Sequence, residues 1–305
     1  MKRFLNTICI FLVPVFAFLA CLEHIVRNVP NEYKYKAKWM EKHAESVETL
    51  ILGTSHAFYG IDPSFFRETA FSLANSAQPI RYDAFLLSKY RNRLKNLKHV
   101  ILSVSYFTLF DAHDEKAGGE NWRSVNYKVY FDDPQISDLS KNSYFVFHPK
   151  PLEEKFKKFL RGDTVIACSK NGFGYPIFRE HQKHTLDNAS SLAWVNRHTR
   201  KDWKGLKNNV RYLRQIAEEC NKLHVQFVIV TTPTWHTYYE RLDQKQLKKM
   251  HEIISNLQKQ YPIKYIDMLK DNRFVEDDFT DCNHMSCVGA RKLSGILNHK
   301  LESLR

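Results

Sequence analysis

From Val47 onward the chain alternates short apolar runs with longer segments whose apolar residues recur at helical intervals, and no other feature narrows the fold as far. Val47-Glu48-Thr49-Leu50-Ile51-Leu52-Gly53 is predicted as a buried strand closed by glycine. Phe71-Ser72-Leu73-Ala74 is a second, weaker strand, and His99-Val100-Ile101-Leu102-Ser103-Val104 a third. Between them, residues 82–97 show helical spacing through Phe85, Leu86 and Leu94. Leu206, Val210, Leu213, Ala217 and Cys220 mark a helix before the β-branched run 225–230. Leu247, Met250, Ile254, Leu257 and Tyr261 mark another before the strand 263–266, and a last helix passes through Leu293, Leu297, Leu301 and Leu304. Strands that alternate with helices of this length predict an α/β fold, a parallel sheet covered on both faces. Residues 107–202 interrupt the pattern. They are rich in Asp, Lys, Tyr and Phe, with Gly118-Gly119 and Asn171-Gly172-Phe173-Gly174-Tyr175-Pro176 as turns, and they read as an insertion, a lid or a substrate platform.

The N-terminus follows a different rule. Lys2 and Arg3 precede a run from Phe4 to Leu22 without a charged residue, at the lower edge of a membrane-spanning length. The same run has the form of a secretory signal, and Ala20-Cys21 resembles a lipoprotein processing site. Arg27, Lys34, Lys36, Lys38 and Lys42 follow it, and by the positive-inside rule they would hold the rest of the chain in the cytoplasm. The expected organisation is a membrane anchor or signal over residues 1–27, a polar helical linker over 28–46, and an α/β domain over 47–305.

With 305 residues, 43% of them hydrophobic, the chain holds one sizeable core, as one domain with an insertion or as two small domains. The formal charge of +13 favours anionic partners such as phospholipid headgroups or acidic glycans. No nucleic-acid motif accompanies that charge, so nucleic acid is not an expected partner. The six cysteines include no Cys-x-x-Cys pair, and neither a metal nor another cofactor is expected. Cys282 and Cys287 are either a bridge or two unpaired thiols.

Ser55, in Gly53-Thr54-Ser55-His56, falls just past the carboxyl end of the first strand, where open α/β sheets present catalytic groups. A serine there can attack an acyl carbon once a base removes its proton, and it can equally cap a helix. Thr280-Asp281-Cys282-Asn283-His284 stands directly before the last helix. Asp281 and His284, three residues apart on one turn, can face the same way, the carboxylate holding the imidazole Nδ1 proton and leaving Nε2 as base. Helix capping would explain Asp281 alone, and a surface position His284 alone. Thr231-Thr232-Pro233-Thr234-Trp235-His236 follows the strongest strand, so Trp235 could stack on a sugar and His236 bond to it; an ordinary strand-to-helix loop explains each residue singly. His56 is either a second polar group beside the serine or a packed turn residue.

These two blocks resemble the SGNH or GDSL-like hydrolases and their acyltransferase relatives in identity, order and position. The likeness spans residues 47–105 and 205–304. It implies a flavodoxin-like three-layer α/β/α fold and a catalytic set of Ser55, Asp281 and His284. The family's oxyanion-hole glycine is replaced by Asn75-Ser76-Ala77, and its Gly-x-Asn-Asp block by Ser103-Val104-Ser105-Tyr106. The Ser55 backbone amide and Asn75 are left as candidate oxyanion donors. Similar divergence occurs in membrane-tethered relatives that act in alginate O-acetylation and teichoic acid D-alanylation. The resemblance therefore implies an esterase or O-acyltransferase, O-acetyl by preference, working on a cell-envelope polysaccharide outside the cytoplasm. Its partners would be an acylated envelope glycan or an acyl-donor protein, and the membrane through the N-terminal segment. A catalytically inactive scaffold in a polysaccharide assembly, and a cytoplasm-facing membrane protein, are the alternatives.

Overall fold

The computed structural model describes residues 2–112, 122–134, 156–157, 159–162, 166–174 and 185–303. Gly118-Gly119, Tyr175-Pro176 and Leu304 lie outside them. In chain order the main elements are α1 (Lys2–Asn28), α2 (Glu32–His43), β1 (Thr49–Gly53), α3 (Ser55–Phe58), β2 (Ala70–Ser72), α4 (Ile80–Tyr90) and β3 (His99–Ser103). There follow α5 (Trp122–Phe131), α6 (Asn188–His198), α7 (Leu206–Lys222), β4 (Gln226–Thr231), α8 (His236–Tyr239) and α9 (Gln244–Gln258). The chain closes with β5 (Ile263–Asp267), the hairpin strands β6 (Phe279–Asp281) and β7 (His284–Met285), and α10 (Cys287–Glu302).

Two compact units divide these elements: Met1–Lys38 with Glu115–Ala167, and Trp39–Asp114 with Cys168–Arg305. In the first, Val26 packs on Val125, Tyr33 meets Tyr127 edge-on, and the Asn31 side chain donates to the Tyr130 hydroxyl at 2.9 Å. Helix α1 contains Ile10–Asn28, nineteen residues of mean hydropathy 1.9, long and apolar enough to cross a membrane. Ile10 and Phe11 are more than 70% exposed.

The second unit is built on a five-stranded parallel sheet in the order β2-β1-β3-β4-β5. This is the doubly wound order found in flavodoxin-like folds. Every residue of β1, β2 and β3 is buried, which explains why their sequences are apolar or small apart from His99, whose Nδ1 lies 2.8 Å from the Glu68 carboxylate. At the edge, β5 alternates buried Ile263 and Ile266 with exposed Lys264 and Asp267. Helices α4 and α7 pack against each other over the sheet. The chain moves outward from β1 to β2, then crosses back through α4 to β3, so the winding reverses between the carboxyl ends of β1 and β3. Such a switch point is where open sheets leave a crevice.

The local differences from the sequence reading have physical causes. The helix expected over 82–97 starts at Ile80, directly behind Pro79, and gives way to turns after Tyr90, where Arg93 and Leu94 donate to the Tyr90 carbonyl. Asp281 and His284 face each other across a separate antiparallel hairpin, which the helix and strand periods did not reveal.

Candidate active site

Gly53 ends β1 with φ +129°, a backbone region that side chains disfavour. A Cβ there would also stand 3.0 Å from the Ser103 Cβ and 3.2 Å from the Ala57 Cβ. The glycine thus lets the chain turn at once from β1 into α3 against its neighbour strand. Thr54 caps α3, its hydroxyl accepting from the His56 amide. Ser55 is therefore free of the capping role that would have explained it, and as the first helical residue its own N–H has no partner inside the helix. Beneath the turn, buried Asp83 accepts from the Gly53 amide at 2.8 Å and from Gln78 Nε2 at 2.5 Å. Burial pushes the Asp83 carboxyl up to about 7, against the pull of those two donors.

The second half of the site is the β6–β7 turn. Asp281 Oδ1 accepts from the backbone amides of Asn283 and His284, each at 2.9 Å, which folds the four residues into a tight loop. His284 Nδ1 lies 2.9 Å from Asp281 Oδ2 and 3.1 Å from Oδ1, and Nε2 lies 2.9 Å from Ser55 Oγ. A carboxylate only accepts, so Nδ1 carries the proton and Nε2 is left to accept from the Ser55 hydroxyl. Burial works to raise the Asp281 carboxyl, but the charge and hydrogen bond of His284 and the two backbone amides outweigh it and hold the group below the ordinary carboxylate range. The capping of α10 falls to Ser286, not to Asp281.

The other expected residues divide. His56 is buried at the site, its ring 5.0 Å from that of His284 and nearly perpendicular to it. Asn75 is also buried: its backbone amide donates to the Gly53 carbonyl at 3.2 Å, which sets it beside the turn that carries Ser55, and neither its side-chain nitrogen nor its oxygen has a hydrogen-bond partner among the described residues. Trp235 reaches the β6–β7 hairpin through its backbone, donating to the Cys282 carbonyl at 2.9 Å, while its ring leans on Phe279. His236 is exposed and faces Glu240 at 3.7 Å. The structure gives it no contact with Ser55 or His284. Cys282 is a buried thiol and Cys287 an exposed one, with no bridge between them.

Helix α6, within the segment read as an insertion, supplies groups that the sequence reading passed over. Its Ser191 bonds to Thr237 and its His198 to the Tyr238 hydroxyl, which docks α6 on α8. Trp194 then stands edge-to-face with His284 at 5.7 Å, with Arg197 over the indole at 5.5 Å, and Tyr59 flanks the same imidazole at 6.1 Å. Ser191, Val195 and His198 repeat at helical spacing on the buried side, a signal hidden because the whole segment was treated as one block. Burial, with the nearby His56 and His284, drives the His198 imidazole down to about 2, so it stays neutral. Ser105 and Asn283, which bracket His56, were overlooked for another reason: the strand order that brings them together leaves no mark in the sequence.

Among the described residues no cluster of His, Cys, Asp and Glu is arranged to hold a metal ion. A cavity of about 580 Å³ at the β5 edge, lined by His251, Asp267 and Lys270 among others, contains none of the side chains just described.

No protein-family model and no curated protein matches the sequence. Solved structures do. A GDSL-like lipase from Bacteroides thetaiotaomicron VPI-5482 aligns over 90% of this chain and all of its own, with 10% identity and a TM-score of 0.41. A Bacteroides fragilis NCTC 9343 protein provisionally named an acylhydrolase aligns over 88% of this chain and 96% of its own, with 11% identity and a TM-score of 0.40. A Streptococcus pneumonia protein provisionally named a platelet activating factor covers 96% of this chain and 99% of its own, at 11% and 0.40. Likeness at that distance carries no argument about activity, which has to come from the side chains.

Proposed function

We propose that this chain is a serine-dependent acyl esterase or O-acyltransferase that works on ester groups, O-acetyl by preference, of a cell-envelope polysaccharide. The observation that carries the reading is the unbroken line from Ser55 Oγ through His284 to Asp281, at 2.9 Å on each side of the imidazole. Ser55 Oγ attacks the acyl carbon while His284 Nε2 takes its proton, and Asp281 stabilises the imidazolium that forms. The tetrahedral oxyanion is met by the Ser55 amide and the Asn75 side chain, whose buried and unpaired Nδ2 has a use only if such an acceptor arrives. Collapse breaks the bond to the sugar oxygen, which leaves with the proton from Nε2, and the acyl group stays on Ser55. Water in a hydrolase, or a second sugar hydroxyl in a transferase, then gives its proton to His284 and takes the acyl group, and the imidazolium returns that proton to Ser55 Oγ as the acyl–oxygen bond breaks.

Trp194 and Tyr59 replace Trp235 and His236 as the groups that would face a sugar ring, because both contact the catalytic imidazole itself. The apolar α1 and the +13 charge fit a domain held at a membrane and working on an anionic polymer outside the cytoplasm. Purified protein incubated with O-acetylated envelope polysaccharide tests this. Acetate release, or acetyl transfer to an added oligosaccharide, is expected from the wild type and not from Ser55→Ala. Equal rates for the two proteins would refute the assignment.

A further inference from the structure

The molecule holds a second serine–histidine array. Ser105 Oγ lies 2.5 Å from His56 Nδ1, and His56 Nε2 lies 3.0 Å from Asn283 Oδ1. Asn283 turns its amide nitrogen toward the Cys282 sulfur, so its oxygen faces the imidazole. An amide oxygen only accepts; Nε2 of His56 therefore carries the proton, and Nδ1 accepts from the Ser105 hydroxyl.

In outline this copies Ser55, His284 and Asp281, yet its environment gives it another task. Ser105 and His56 are buried, and the terminal group is a neutral amide that offers an imidazolium no countercharge. Burial, then the charge of His284, drives the His56 ring down to about 3, so it cannot act as a base near neutral pH. What the array does is join three pieces of chain. Ser105 stands two residues past β3, its amide fixed by the Thr108 hydroxyl at 2.9 Å. His56 is the neighbour of Ser55 on α3, and Asn283 the neighbour of His284 in the hairpin. Nucleophile and base are 229 residues apart in sequence, and their own hydrogen bond is one soft contact. Phe107 meets the His56 ring edge-on at 5.5 Å, and His56 in turn stands edge-on to His284 at 5.0 Å.

Building on the serine-esterase reading, we infer that Ser105, His56 and Asn283 are positioning residues. They tie the His284 hairpin to the β1–β3 switch point and so set the angle of the catalytic imidazole on Ser55. Loss of the tie should act through His284, since displacement of a reacting group by about 1 Å is enough to lower a rate roughly a hundredfold.

The test uses the full chain in detergent micelles, labelled with ¹⁵N-histidine, as wild type, His56→Phe and Ser105→Ala. His56→Phe keeps a ring but loses both hydrogen bonds; Ser105→Ala removes one donor with little change of volume and serves if the first variant fails to fold. In the wild type, His56 is expected as the neutral Nε2–H tautomer without titration from about pH 5 to 8. The His284 Nδ1–H resonance should shift or broaden in both variants. Phosphonylation of Ser55 by a fluorophosphonate should slow by roughly tenfold or more in His56→Phe. A titrating His56, or an unchanged His284 resonance in the variants, would overturn the positioning role. Wild-type protein that is not labelled at Ser55 would instead refute the esterase reading, because the nuclear resonance result stands without it.

Discussion

At Asp281 an asparagine would keep an oxygen on the two backbone amides of the turn while setting an NH₂ group against His284 Nδ1. The imidazole would then have to accept at Nδ1 and carry its proton at Nε2, where it cannot take one from Ser55. Asp281→Asn is therefore expected to lower kcat by about 10⁴-fold with KM little changed. Asn75→Leu is expected to separate catalysis from stability. Loss of a single oxyanion donor lowers kcat by about 10²- to 10³-fold. Replacing a buried amide that has no partner with an apolar group of similar volume leaves the urea midpoint unchanged or raised. Steady-state kinetics and urea titration of the same preparation measure both; a normal kcat would remove Asn75 from the oxyanion site. The side chains at Ser55, Asp281 and His284 were legible in the sequence because each lies within three residues of its local partner or at a strand end. Ser105 and Asn283 were not, since their role exists only after β1 and β3 become neighbours.

Elements carry the next set of expectations. The turn from β1 to α3 rests on Asp83, whose folded-state value of about 7 lies above the ordinary 3.8. A raised carboxyl keeps its proton in the folded protein at pH values where the unfolded chain has released it. Its contribution to stability is thus complete below about pH 4 and is lost as the pH rises through 7. Asp83→Asn keeps the acceptor for Gly53 and Gln78 and sets an NH₂ group at the unpartnered Oδ2 position, so its stability should fall less over that range. Urea midpoints at about pH 4.5 and pH 8 decide it, and parallel losses in the two proteins would contradict the assignment. At α6, Trp194→Ala is expected to raise KM for the polysaccharide by about tenfold in steady-state kinetics, since it removes the indole proposed to face the sugar beside His284. Strands β1 to β4 were readable because near-continuous burial demands apolar sequence on both faces, and β5 through its buried Ile263 and Ile266 behind a clearly periodic helix. The hairpin of β6 and β7 was not, because two- and three-residue strands are too short to show a period of two.

For the molecule as a whole, the proposed location outside the cytoplasm can be tested on the sheet unit. Read as a secretory signal, the apolar stretch of α1 exports the sheet unit, whereas the basic residues behind it would hold the unit in the cytoplasm. Cys287 is an exposed thiol of the sheet unit, whereas Cys168, Cys220 and Cys282 are buried. A membrane-impermeant maleimide should therefore modify Cys287 in intact spheroplasts, and modification only after lysis would put the domain in the cytoplasm. The most direct measurement concerns the site itself. Full-length protein in detergent is treated with a fluorophosphonate, and the adduct is mapped by mass spectrometry beside Ser55→Ala and His284→Ala. An adduct on Ser55 that disappears with His284 is the expected result, since only an activated hydroxyl reacts. Folded wild-type protein that carries no adduct, or one that survives His284→Ala, would contradict the account.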